Sequence, residues 1–451
     1  MTSSNPPRNK WRIVTCVALN FTCGFSDAAP GALLPHIEQY YGIGYSVASL
    51  IWISSAIGFI FTACLSHKIE PWFGKRYALV LGCIMASIMY AIIASGTKYP
   101  AVAISFFFGG AGFAIEVAQV NVFISRFDKV STYLSYLHGG YGIGATISPL
   151  IATSMVGAGI PWYYFYLVLL GIMILNCFSI YFSFEGADVD LLPWEEESSE
   201  PEGHLMSHSG SRNSLNDGEE FEMQEYNRAQ SRELQQANNS STINMILALK
   251  TPVTWLIAFF CLFYQGAEVS MAGWIVSFFL DYRHGNPKTV GYAASSFWGG
   301  LTIGRLALTR PLHKTLGSRR GIFIVSVLSI VLIGLVWAIP NVIAEAVIVA
   351  LAGILIGPNY PLLIAYSAHH GLLPRKIQVV SITIMSAFGS SGGAIFPFIV
   401  GLLSQKVGTF VVLPVFIVLY SAMMILWVLL PNVERRKKQP SKEFTLWERF
   451  W

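Results

Sequence analysis

Charge in this chain comes in pulses. Roughly a dozen apolar runs, each of about 20 residues or more, are separated by short connectors that hold most of the charge, and each run is long enough to cross a hydrocarbon core as a helix. Only 12% of the residues are charged and 54% are hydrophobic, whereas a soluble domain carries roughly 25% charged residues. Lipid offers no partner to a backbone N–H or C=O, so the runs must fold as helices, and the expected fold class is an all-α membrane protein. The 40 glycines and 21 prolines would break soluble helices but are tolerated in membrane bundles. The first apolar run is too long for a signal-peptide core and reads as a retained span.

Hydropathy places twelve spans near 11–34, 46–66, 76–96, 101–125, 133–157, 161–182, 252–280, 290–309, 320–340, 343–368, 377–404 and 409–431. Basic residues crowd the N-terminus, the 2–3, 4–5, 8–9 and 10–11 connectors and the tail, while the opposite face has only Lys98, Arg283, Lys288 and Lys406. That imbalance predicts both termini on the cytoplasmic side. Between spans six and seven, residues 183–250 hold 14 acidic and four basic residues, and a disordered acidic cytoplasmic loop is expected there. The loop divides the chain into an N-terminal six-helix half, 1–182, and a C-terminal six-helix half, 251–433, followed by a basic cytoplasmic tail, 434–451. Two pseudo-symmetric six-helix bundles are a known transporter plan. Asp188 to Leu192 has the form of an acidic dileucine sorting signal, although an ordinary exit from span six is the simpler reading. Asn239-Ser240-Ser241 matches a glycosylation acceptor on the side where it stays unmodified. The segments HKIEPWFGKR and RPLHKTLGSRR occupy corresponding connectors, each with a glycine ahead of basic residues.

Three carboxylates fall inside the predicted spans: Asp27, Glu116 and Glu268. An acid at that depth must be neutralised, paired or hydrated, which makes each a candidate for carrying a proton, with a permanent salt bridge as the alternative. Glu345 is placed at the interface near the outer start of span ten. Gly24, Pro30 and Gly31 around Asp27 would permit a broken or bent first helix. Candidate substrate-binding groups near the acids are Gln119, Asn121, Tyr141, Tyr264, Gln265, Trp274, Trp298, Asn359 and Tyr360. Gln119 follows Glu116 by three positions and Gln265 precedes Glu268 by three, so each pair can share a helix face. Amides, carboxylates and flat rings suit a polyhydroxylated solute; the same aromatic residues would line a drug or lipid pathway. Candidate gating residues are His138, Lys75, Arg76, Arg305, Arg319 and Arg320, with Arg305 placed one turn from the cytoplasmic edge, where it could hold a carboxylate across a gate. The six cysteines lie in apolar stretches, so neither a disulfide framework nor a metal site is expected, and no cofactor is implied.

At GGAGFAIEVAQ and YQGAEVSMAGW the chain resembles the major facilitator superfamily, over nearly its full length apart from 183–250. Within it the chain is similar to the fucose permease-like branch of fucose–galactose–glucose:proton symporters, in a fungal-type form. That branch has a GxGxxxE segment on span four, whose positions are filled here by Gly110, Gly112 and Glu116. The resemblance implies a part for Glu116 in substrate and proton handling. A YxGAQ segment on span seven is matched by Tyr264, Gly266 and Ala267, with Glu268 in place of the glutamine. Two features depart from the branch. Gly31 stands where its first-span aspartate precedes an LLP triplet, leaving Asp27 one turn earlier, and Val120-Asn121 replaces its Asn-Pro. Of the superfamily's 2–3 connector signature only Gly74-Lys75-Arg76 remains.

The expected activity is proton-coupled transport of a small, sugar-like solute by rocking of the halves about a midplane site. Glu116 would take the proton with help from Asp27 or Glu268, and the glycine-rich spans five and eleven would bend at the gates. Proton-driven efflux or antiport of an amphipathic or glycolipid-like metabolite is the alternative, and a non-transport receptor or scaffold a second one; an enzyme is not expected. Expected partners are the substrate, protons and the lipid bilayer, with no nucleic acid and a monomeric chain. The plasma membrane and a vacuolar or endosomal membrane both remain open as locations.

Overall fold

Two tight glycine turns join spans two to three and eight to nine. The computed structural model describes residues 1–128, 130–191, 243–367 and 372–433, and among them every regular element is helical. Lys129, most of the acidic loop with the 239–241 acceptor, His369, His370 and the tail from 434 lie outside the described residues.

In the first half, α1 (Asn9–Tyr41) is followed by the short α2 (Tyr45–Ala48) and by α3 (Leu50–Ala94), which contains spans two and three. Gly74 separates them at φ 72°, ψ 169°, a backbone region that is essentially glycine-only. Then come α4 (Tyr99–Ser125), α5 (Val130–Gly157), α6 (Phe165–Ser183) and the short α7 (Ala187–Asp190). The second half opens with α8 (Pro252–Ser277), closed by a π-helical turn at Phe278–Tyr282. Next, α9 (Tyr292–Ile303) runs through a π-helical turn at Gly304–Leu308 into α10 (Thr309–Ala338), where Gly317 repeats the glycine turn at φ 77°, ψ 170°. Span ten is α11 (Val342–Ile356) with α12 (Asn359–Ser367), and α13 (Arg375–Val407) and α14 (Val412–Leu429) complete the half.

Nine helical stretches among the described residues are long and apolar enough to cross a membrane. One of them, Tyr292–Ala338, is folded back at Gly317 and supplies two spans. Absent from the nine are α1 and α5, long enough at 33 and 28 residues but too polar. With them the twelve expected spans are accounted for. Packing repeats between the halves: α1 lies on α5 and α6, and α3 on α4 and α6, as α8 lies on α13 and α14, α9 on α11 and α10 on α14.

Several expectations change. The acidic loop is ordered at both ends: 243–250 are helical, and the segment after α6 folds back on the first half. There Asp188 accepts from the Lys75 backbone N–H at 2.8 Å, Asp190 pairs with Arg12 at 2.6 Å, and Leu191 is buried, which favours the plain span-six exit over a sorting signal. The first helix is unbroken despite Pro30 and Pro35. Spans five and eleven are also continuous, and their glycines serve close packing: a Cβ at Gly144 would overlap the Phe21 carbonyl, and one at Gly392 the Leu262 carbonyl.

Because Gly317 holds a backbone conformation that side chains resist, Gly317→Ala is expected to cost about 1–3 kcal/mol and to lower the thermal unfolding midpoint of the detergent-solubilised protein, whereas Gly334→Ala, in open space within α10, leaves it unchanged or higher.

Candidate functional site

The two halves touch most closely on the face away from the chain termini. There α1 crosses α8, α2 and α3 meet α13, and α5 meets α9. Small residues let the backbones approach: a Cβ at Gly31 would overlap the Ala272 carbonyl, and one at Gly401 would lie 2.6 Å from the Ser49 Cβ. Trp274 seals the centre of this seam, its ring 5.7 Å from Trp52 of the other half and its indole N–H donating to the Pro397 carbonyl at 2.9 Å. Toward the terminal face the approach loosens: a would-be Cβ at Gly139 would come only to ordinary contact distance, 3.7 Å, of Leu306 in the other half. Asp27 and His138 are exposed in this opening although α1 is buried on both sides of Asp27.

From the first half, the Tyr141 hydroxyl donates to Asp27 at 3.0 Å. Across from it, the Tyr141 ring meets Trp298 of the second half edge-on at 6.2 Å. Trp298 is 3% exposed and its indole N–H has no protein partner. Behind Trp298, Arg305 Nη2 donates to both oxygens of Glu268, at 2.9 and 3.0 Å, and the Tyr264 hydroxyl donates to the same carboxylate. Tyr360 stacks on Tyr264 at 6.3 Å. The π-helical turn at Gly304–Leu308 carries Arg305, a device that re-aims a side chain within a helix and recurs at functional sites. Arg305 Nε is buried without a partner. One water-exposed acid thus faces an ion pair that neutralises itself, among aromatic rings.

Glu116 lies elsewhere. It is 1% exposed inside the first half, where Cys23 Sγ donates to it at 3.4 Å and its other oxygen has no partner. Its Cγ sits against Gly82, where a Cβ would come within 2.9 Å. Cys23 and Asp27 are one turn apart on α1, so Glu116 connects to the cavity through that helix and not by facing it. Gln119 lines a small cleft near the terminal edge with Lys75, Arg126, Phe184 and Leu191, and Gln265 packs against Gly389 of α13; neither amide joins its neighbouring acid. Asn359 is a buried link between Ser326 at 3.4 Å and Tyr420 at 3.3 Å. Asn121 is exposed and shares no hydrogen bond with the cluster.

The proposed gate cations act within one half each. Lys75 belongs to the Asp188 contact, and Arg76 lies 3.6 Å over the Tyr181 ring. Arg319 caps the end of α14, donating to the carbonyls of Leu430 at 2.7 Å and Val428 at 3.1 Å, and Arg320 is exposed on the terminal face. Arg305 holds a carboxylate of its own half and not one across a gate, and its helix runs on past it to Gly317. Glu345 lies in the first turn of α11, at the start of span ten as expected, but it is fully buried and paired with Arg283 at 2.6 Å, and Arg283 also donates to the Val336 and Trp337 carbonyls. Cys23 was not singled out from the sequence; its place one turn from Asp27 was the available signal.

Removing one partner of a buried pair leaves an uncompensated charge, so Arg305→Met is expected to destabilise by about 3–5 kcal/mol. The double variant Glu268→Gln/Arg305→Met recovers most of that loss in thermal unfolding of the purified protein.

Similarity to known proteins agrees with this architecture. The chain is 25% identical over 415 residues to Bypass of stop codon protein 6 of Saccharomyces cerevisiae, covering 89% of this chain and 78% of that protein. Its fold superposes on the crystal structure of a D-xylose-proton symporter with a TM-score of 0.69 at 11% identity, over 93% of this chain and 98% of the other. The profile of the Major Facilitator Superfamily matches residues 16–397, with a second, overlapping match at 258–451. The chain therefore belongs to the Major Facilitator Superfamily, and is a multi-pass membrane transporter and not an enzyme.

Proposed function

We propose that this transporter carries a small, uncharged polyhydroxylated solute together with a proton, its two halves alternately exposing the Asp27–Tyr141 and Glu268–Arg305 groups to either side of the membrane. The observation that carries this reading is the exposure of Asp27 opposite a self-neutralised pair. Glu268 and Arg305 cancel, so among the carboxylates of the site Asp27 is the one left unpaired by a cation. Protonated, it leaves a neutral pocket with acceptors at Asp27 and Tyr141 and unpartnered donors at Trp298 Nε1 and Arg305 Nε. Hydroxyl groups of a sugar both donate and accept, and the rings of Tyr141, Trp298 and Tyr360 suit its apolar faces.

The fucose permease-like motifs on spans four and seven and the fold shared with a D-xylose-proton symporter support a sugar-like substrate. We read the terminal face as cytoplasmic from the basic connectors, which makes the arrangement described here the inward-facing one. Asp27 exchanges its proton with cavity water, and Glu116, linked through Cys23, keeps a proton away from water.

In proteoliposomes with a panel of neutral sugars and polyols, Asp27→Asn and Glu116→Gln are each expected to abolish accumulation driven by a pH gradient while retaining counterflow exchange. PH-dependent uptake that survives unchanged in Asp27→Asn would overturn proton coupling at this residue. Selective uptake of amphipathic compounds over sugars would overturn the substrate class.

A further inference from the structure

On the closed face, one ring of the second half meets two of the first. Trp274 of α8 lies 5.7 Å from Trp52 of α3, tilted by 37°, and meets Tyr45 of α2 edge-on at 5.6 Å. Trp274 is fully buried, and its indole N–H donates to the Pro397 carbonyl of its own half. Packing around it is tight: a Cβ at Gly273 would come within 2.7 Å of the Trp52 ring, and one at Gly401 within 2.9 Å of the Trp274 ring. At the rim of this contact the Tyr45 hydroxyl donates to Asp281 at 2.6 Å. Asp281 is exposed and lies in the π-helical turn that ends α8, so the bond ties the short α2 of the first half to the end of the helix that carries Trp274. A second bond across the seam, between Ser154 and Tyr292 at 3.2 Å, joins two neutral hydroxyls. The carboxylate acceptor makes the Tyr45 bond the stronger of the two.

Stacked and edge-on rings part without losing a directional bond, whereas the Trp274 N–H is fixed to Pro397. A seam that opens here therefore parts between Trp274 and the first half. Tyr45 then loses both a ring contact and a hydrogen bond. We propose that Tyr45 is the gate residue of the closed face: its ring covers Trp274, and its hydroxyl, held by Asp281, fastens α2 across the seam and sets how readily the carrier opens away from the termini. The gate rests on the alternating-access reading above and names the residues at which the seam separates. Tyr45 acts through the position of α2 and Trp274, and not by touching the groups around Asp27.

Full-length protein with Cys64→Ala, in detergent micelles at one fixed pH, is given one added thiol and labelled with a polar maleimide, the rate without that thiol being subtracted. At Ser49→Cys, a position fully buried against Gly401 in the seam, Tyr45→Phe and Asp281→Ala are each expected to speed labelling about fivefold. Tyr45→Phe keeps the ring, so its gain belongs to the bond, and the double variant should be no faster than either single one. At His138→Cys, exposed toward the terminal face, the same variants should label about twofold slower, because a carrier open on one face is closed on the other. Unchanged rates at Ser49→Cys, additive gains in the double variant, or faster labelling there with no slowing at His138→Cys, the sign of local fraying, would overturn the gate; either single variant suffices if the other does not fold. No substrate is present, so such results leave sugar and proton transport to its own uptake assay. Opposite changes at the two thiols together with failed sugar uptake count against the substrate reading alone.

Discussion

No polar group inside a bilayer can lean on surrounding water, and the placing of the charges in this chain follows from that single constraint. Arg283 is spent on Glu345 and two helix-end carbonyls, and Arg305 on Glu268. Arg12, Lys75 and Arg319 tie helix ends and connectors together on the terminal face. After those pairings four acids among the described residues have no cation: Asp27, bonded only to a tyrosine, Glu116 beside a thiol, and Glu38 and the exposed Asp281 toward the face away from the termini. A chain that otherwise matches its buried charges leaves Asp27 and Glu116 where a proton can serve as counter-ion.

The halves share a packing plan but not a chemistry. Each has a glycine turn of nearly the same dihedral angles between its second and third spans, and each closes that corner by fastening the connector to the end of its sixth span. At the centre they part: the first half presents an acid bonded only to a tyrosine, the second a carboxylate–guanidinium pair fixed by a tyrosine. Movable charge sits in one half and fixed charge in the other, so the two sides of the cavity have different tasks although their backbones repeat.

Much of the fold was legible because hydropathy and connector charge are one-dimensional signals. The spans, the repeated glycine connectors and the two-half plan follow from them directly. The setting of each helix about its own axis is not one-dimensional. Glu116 and Gln119 are three residues apart, yet one is enclosed by Cys23 and Gly82 and the other lines a cleft with Lys75 and Arg126. Arg305 was assigned too shallow a depth because nothing in GRLALTR announces that the helix continues through a π-helical turn to Gly317. The ion pair of Glu345 was hidden because its partner, Arg283, is 62 positions away in sequence and meets it only after three spans have packed.

The polarity of α1 and α5 has a consequence for how the protein is made. Neither helix reaches the hydropathy of the other spans, α1 because it carries Asp27 and α5 because of its serines, threonines, glycines and His138, and a carboxylate at mid-depth costs about 2.5–3.5 kcal/mol on insertion scales. Each packs against the other and against the opposite half, and α1 also against α6 of its own half. During synthesis α1 emerges well before α5, so it enters the membrane before the helix it packs against most is made. Biogenesis of the N-terminal half is then cooperative, and residues that line the cavity also govern the yield of inserted protein.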